Sequence, residues 1–269
     1  MDLELASDVA VVIGGASGIG RAIAEAFARE GAGVAIVDCD KATPTAANEI
    51  AQQFGVRTLG LVADAADFAA MQTAAQQIDA QLGRYDHLVY AAAVGSGKFG
   101  FPFWNLEPQD WPRVLQVNLV GAVNAAQAFS PRLVAERRGT LLFISSVAAQ
   151  IGSQTDPPYS ASKAALLNFA QCAAKDLAPS GVRVNSLCPG MVQTPLNQAV
   201  WAAWQAQQPP ERQQTYETWA AEKIARTVPL GRWQEPSDFA AMAVFLASPR
   251  ARNITGQAVN IDGGQVMRF

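Results

Sequence analysis

The stretch from Val9 to Asp38 constrains the fold more than any other. Val9 to Ile13 is an unbroken apolar run rich in β-branched residues, and it stops on Gly14-Gly15. That is the pattern of a strand buried on both faces. Ile19, Ile23 and Phe27 then recur at helical spacing, and Gly31 offers a C-cap. Val34 to Val37 reads as a second strand, closed by Asp38. Strand, helix and strand joined by short turns form a βαβ unit. Such a unit requires a parallel sheet with helices on both faces.

The alternation continues along the chain. Helices are predicted over residues 45–54, 68–82, 111–137, 158–177 and 236–246. Strands are predicted over 57–63, 88–92, 140–144, 182–187 and 258–261. Pro158 suits the first turn of its helix. Together these predict one doubly wound α/β domain spanning residues 1–269, with about seven parallel strands. Residues 195–230 break the rhythm. They hold Trp201, Trp204, Trp219 and Pro209-Pro210 and fit no strand, so short inserted helices are expected there.

Composition excludes several classes of function. A formal net charge of −3 gives no reason to expect a nucleic acid or an anionic membrane as partner. Cys39, Cys172 and Cys188 are odd in number and show no C-x-x-C spacing, so neither a disulfide framework nor a metal site is expected. The single histidine, His87, opens an apolar run and reads as structural. No signal peptide and no apolar span of about 20 residues is evident, so a soluble cytoplasmic protein is expected.

Gly14, Gly18 and Gly20 punctuate the first strand-to-helix turn. Glycines there let the backbone approach a pyrophosphate, and the helix N-terminus favours its charge. A tight turn is the plainer reading of the glycines alone. Asp38 ends the second strand, where a carboxylate can accept both hydroxyls of an adenosine ribose and repel a 2′-phosphate. Neither Ser17 nor Cys39 supplies a cation for that phosphate, so NAD is expected over NADP.

Tyr159 and Lys163 stand four residues apart and so share one face of a helix. A nearby cation favours a phenolate and lowers the pKa of a phenol, making it a better acid/base. Ser146 follows the strand Leu141-Leu142-Phe143-Ile144, and Asn118 lies further upstream. Taken singly, each has an ordinary reading: a surface pair, a strand-end hydroxyl, a helix residue bonding backbone. Their joint order and spacing point to cofactor chemistry.

With these residues assembled, the chain resembles the short-chain dehydrogenase/reductase family over nearly its whole length. Gly14, Gly18 and Gly20 match the family's glycine turn. Asn118, Ser146, Tyr159 and Lys163 match its catalytic tetrad one for one. Pro189-Gly190 and Thr194 match the segment beside the nicotinamide, and Asn260 to Gly264 is similar to the family's ending. The resemblance implies a Rossmann domain and an NAD site. That site would comprise Gly14, Ser17, Gly18, Ile19 and Gly20, then Asp38, Asp64, Ala65 and Ala91, then Tyr159, Lys163, Pro189, Gly190, Val192 and Thr194. It implies reversible hydride transfer between a nicotinamide and a secondary alcohol or ketone. Tyr159 would be the acid/base, Ser146 would bind the substrate oxygen, and Lys163 would hold the nicotinamide ribose. Asn118 would anchor a relay water. It also implies a homotetramer built on the two long helices and the last strand. Two positions depart from the family: Ile13 replaces its threonine, and Tyr90-Ala91-Ala92-Ala93 replaces its N-N-A-G. An apolar contact replacing both polar sides together is one reading of this departure.

For the substrate, the residues favour a polyol, a sugar-like or a cyclic alcohol, with an aryl alcohol or a 3-oxoacyl compound as alternatives. Ser146, Gln150, Gln154, Tyr159 and Trp201 are the candidate contacts, and the helices within 195–230 are expected to close over them as a lid. A nucleotide sensor or scaffold on the same fold is the non-enzymatic alternative.

Overall fold

The computed structural model describes residues 2–153 and 155–267. In chain order its main elements are β1 (Val9–Ile13), α1 (Gly18–Arg29), β2 (Gly33–Asp38), α2 (Thr43–Phe54), β3 (Thr58–Val62), α3 (Phe68–Leu82) and β4 (His87–Tyr90). There follow α4 (Pro112–Leu115), α5 (Gly121–Glu136), β5 (Thr140–Ile144), α6 (Ala148–Ile151), α7 (Pro157–Leu177) and β6 (Arg183–Pro189). The last are α8 (Pro195–Gln205), α9 (Tyr216–Thr227), α10 (Pro236–Ala247) and β7 (Ala258–Ile261).

The strands form one seven-stranded sheet in the order β3-β2-β1-β4-β5-β6-β7, and every pairing is parallel. Alternate residues of β1 serve the two faces. Ala10 and Val12 pack with α1, α2 and α10, whereas Val9, Val11 and Ile13 pack with α3, α5 and α7. This is the doubly wound Rossmann arrangement expected from the alternation. Strand order reverses between β1 and β4, which opens a crevice at their carboxyl ends.

The long helical stretch expected over about 111–137 runs without a break from Pro112 to Glu136, with one irregular turn inside it. Between α4 and α5, residues Gln116–Val120 form a π-turn. Tyr90 explains why. Its ring is fully buried beside its register partner Ile13, and its hydroxyl reaches the Val117 carbonyl. The two departures at positions 13 and 90 are therefore one packed pair, with the polar tip satisfied by backbone rather than removed.

His87 lies at the other end of the sheet, at the start of β4. It is buried, stacks on Phe27, and binds Thr140 through Nδ1 (2.9 Å) and Asp8 through Nε2 (3.1 Å). Its role is structural, as expected.

Candidate active site

A cleft of about 1090 Å³ opens at the carboxyl ends of the strands. It runs from Val37, Asp38 and Cys39 to Ser146, Tyr159, Lys163 and Met191.

The nucleotide end depends on close backbone approach. Gly14 has φ +81°, and a Cβ there would lie 2.4 Å from the Ala92 nitrogen. A Cβ at Gly20 would lie 2.0 Å from the Gly14 oxygen. No side chain fits either place, so α1 begins hard against the ends of β1 and β4. Ser17 precedes α1 in extended conformation and its side chain makes no capping bond, nor is there an acid in the first turn. The first N–H groups of α1, from Gly18 and Ile19, are left for an anion in the cleft. Asp38 accepts from Ala16 N at 3.1 Å, so its carboxylate faces this turn. Asp64, Ala65 and Ala91 line the adjoining wall. Asp64 is paired with Arg113 at 3.5 Å. The shape and the uncapped helix start fit a dinucleotide.

At the other end, α7 sets Tyr159 and Lys163 one turn apart on the cleft wall. Asp156 caps the helix by accepting from Tyr159 N (3.4 Å), and it also accepts from Ser96 N (2.8 Å). Ser146 follows β5 and lines the same cleft as Tyr159, near enough for its hydroxyl to favour the phenolate. Lys163 is 1% exposed; its ammonium donates to the Ile144 oxygen at 2.7 Å and stands 5.6 Å from the Tyr159 ring centre. Burial pushes the Tyr159 phenol up to about 12, against the lowering effect of Ser146. Burial pushes Lys163 down to about 7. A depressed ammonium beside a raised phenol differs from the expectation that Lys163 holds the phenol low. Desolvation of each group is the largest cause of both shifts.

Asn118 is fully buried behind the wall. Its Oδ1 accepts from Val94 N (2.8 Å), and its Nδ2 donates to Val94 O (2.9 Å) and Ser162 Oγ (3.0 Å). It braces the segment after β4 against α7. Pro189, Gly190, Val192 and Thr194 all line the cleft, and Thr194 caps α8 by accepting from Asn197 N at 3.3 Å.

The expected substrate contacts separate. Ser146 and Tyr159 are on the cleft wall, but Gln150 and Trp201 are not among its lining residues. Gln150 exchanges amide hydrogen bonds with Asn260, at 2.8 and 3.1 Å. Trp201 packs edge-on against Tyr216 and donates to the Gln214 oxygen (3.3 Å). Gln154 lies outside the described residues. The wall instead includes Val147, Ile151, Asn197, Val200 and Lys223. Of these, Lys223 carried a sequence signal, standing one helical turn after Trp219.

The family model described as enoyl-(acyl carrier protein) reductase matches residues 14–265. D-threitol dehydrogenase of Mycolicibacterium smegmatis is 34% identical, over 99% of this chain and 96% of its own. The 3-oxoacyl-(acyl-carrier-protein) reductase of Thermotoga maritima is 30% identical, over 98% and 100%. The crystal structure of L-sorbose reductase from Gluconobacter frateurii, complexed with NADPH and L-sorbose, matches over 100% of both chains with a TM-score of 0.90 and 28% identity. With the glycine turn, the switch-point cleft and these matches together, the chain belongs to the short-chain dehydrogenase/reductase family of oxidoreductases.

Proposed function

We propose that the protein is an NAD-dependent dehydrogenase that interconverts a secondary alcohol and a ketone, with Tyr159 as acid/base. The observation that carries this reading is the placement of Ser146, Tyr159 and Lys163 together on one cleft that ends on Asp38, with the Lys163 ammonium 5.6 Å from the Tyr159 ring centre. A nicotinamide bound beside Pro189–Thr194 would supply or take up the hydride. Tyr159 carries the proton that passes to or from the substrate oxygen. Ser146 donates to that oxygen and stabilises charge developing on it. Lys163 commits one N–H to Ile144 and keeps two for ribose hydroxyls. Asn118 holds the wall behind them in register.

Asp38 supports NAD over NADP, because its carboxylate faces the turn where an adenosine ribose would sit. Arg21, on α1, is held by Glu25 (2.7 Å) and Glu49 (3.2 Å) and so is not free to meet a 2′-phosphate. The substrate is a polyol, sugar-like or cyclic alcohol. Asn197, Ser153 and Thr155 offer polar contacts among Val147, Ile151 and Val200, and the likeness to a threitol dehydrogenase supports the same class. Helices α8 and α9 act as the lid that excludes water. The working form is a cytoplasmic homotetramer, which light scattering tests for assembly; no helix among the described residues is long and apolar enough to cross a membrane.

The test is NADH formation from D-threitol and a panel of cyclic and aryl alcohols, with L-sorbose reduction in the reverse direction. NAD and NADP are run in parallel, with Tyr159→Phe as control. Turnover with NAD that vanishes in the variant is expected. NADH binding without turnover on any alcohol would favour a sensor. Reduction of a 3-oxoacyl thioester with NADPH alone would favour the activity named for the Thermotoga relative.

A further inference from the structure

Lys223 is a half-buried cation on α9 that lines the same cleft as Ser146 and Tyr159. Its ammonium lies 4.6 Å from the centre of the Trp219 ring, which holds it in place by a cation–π contact. Among the described residues no carboxylate pairs with it, and the charge it feels is that of Arg226, of the same sign. Its neighbour Glu222 is already held by Gln214 at 3.1 and 3.2 Å. Burial, with Arg226, pushes its pKa down to about 8. A desolvated cation without a counter-ion is costly to the protein alone, and an arriving anion relieves that cost.

A nucleotide diphosphate is the other anion that the cleft would take, and the test below separates the two. That group belongs at the start of α1, where Gly18 faces Thr194 at the N-cap of α8. Trp219, on which Lys223 rests, packs against Trp204 at 6.3 Å and Tyr216 at 6.1 Å between ring centres, and the Tyr216 hydroxyl donates to Asn197 Oδ1 (3.0 Å). Trp204 is ten residues along α8 from Thr194, about 15 Å by helical rise. From that end, Gln207 donates to the Phe99 oxygen (3.2 Å).

We propose that Lys223 recognises a carboxylate on the substrate, remote from the carbon that Tyr159 and Ser146 address. The substrate is then a polyhydroxy acid rather than a neutral polyol. This rests on the dehydrogenase reading above and narrows its substrate class.

The test is calorimetric titration of the NADH-loaded protein with D-gluconate, D-galactonate and D-threonate, each beside its matching alditol. Wild type is expected to bind at least one aldonate about tenfold or more tightly than the alditol. Lys223→Met is expected to lose that preference, and Lys223→Arg to keep part of it, with NADH affinity unchanged in both. Should Lys223→Met fail to fold, Lys223→Gln beside Lys223→Arg makes the same comparison. Equal binding of acids and alditols by wild type overturns the proposal, as does a preference that survives loss of the charge. Loss of NADH affinity in Lys223→Met would assign the cation to the diphosphate and also overturn it. Because the readout is binding, its failure is separable from failure of the dehydrogenase reading. Turnover of neutral polyols without an acid preference sinks this proposal alone. A preference for acids without turnover of any alcohol sinks the other.

Discussion

The Tyr90 hydroxyl donates to the main-chain oxygen of Val117 at 2.5 Å, from the end of β4 into the π-turn that precedes α5. A π-turn widens the helix and frees carbonyls from regular pairing. Gly121 leaves room for the phenol, since a Cβ there would lie 2.3 Å from the hydroxyl oxygen. Asn118, next to Val117, is thereby fixed from two sides, by Tyr90 through the turn and by Val94 and Ser162 through its own amide.

Tyr90→Phe removes the buried hydroxyl that donates to the Val117 oxygen, and a loss of about 1–3 kcal/mol in stability is expected. Gly121→Ala drives a methyl into the hydroxyl and costs a similar amount, about 1–3 kcal/mol. The methyl has space once the hydroxyl is gone. A double-mutant cycle by urea denaturation should therefore show favourable coupling of about 1 kcal/mol or more. Strictly additive costs would mean that the two positions do not share this contact.

The sheet was legible because each strand is a short apolar run and each turn carries its glycine or acid. The predicted bounds of α3, β5 and β7 coincide with the observed ones. The π-turn was not legible, because its cause lies 27 residues away in Tyr90. Gln150 and Trp201 lie in segments that the family resemblance sets beside the substrate, and side-chain direction carries both elsewhere. Gln150 turns to β7, and Trp201 faces inward to α9. Lys223 is not legible as a site residue in the sequence, because only the packing of α9 brings it to the same cleft as Tyr159.

Asp38 is expected to set cofactor choice. Asp38→Ala removes the acceptor for ribose hydroxyls and the charge that repels a 2′-phosphate. The KM for NAD should rise about tenfold or more, and kcat/KM for NADP relative to NAD should rise by at least as much. An unchanged ratio in steady-state kinetics would show that Asp38 does not read the 2′ position.

Arg183, at the start of β6, closes the far end of α10. Its guanidinium donates to the oxygens of Leu246 (2.6 Å), Ala247 (3.0 Å), Ser248 (3.1 Å) and Ile254 (3.4 Å). A cation at a helix C-terminus satisfies orphan carbonyls and the dipole together. Arg183→Leu should cost about 3 kcal/mol in chemical denaturation. Arg183→Lys should recover only part of it, since one ammonium cannot span the same fork. Full recovery by lysine would reduce the contribution to charge alone.

Lys163 makes stability depend on pH with a sign opposite to that of a paired lysine. Its folded pKa is about 7, below the ordinary 10.5, because burial penalises the ammonium. Between those values the unfolded chain binds more protons than the folded one, so stability rises with pH across that window. Lys223, lowered to about 8, adds in the same direction. Tyr159, raised from 10.0 to about 12, acts oppositely but only above its ordinary pKa. The ligand-free protein should thus become more stable from about pH 7 to about pH 9.5, by up to about 1.4 kcal/mol per pH unit from Lys163. Lys163→Met should flatten the profile by that amount and leave the smaller rise due to Lys223. Urea midpoints measured across the range decide it: parallel profiles for wild type and variant would mean that Lys163 keeps its charge in the fold.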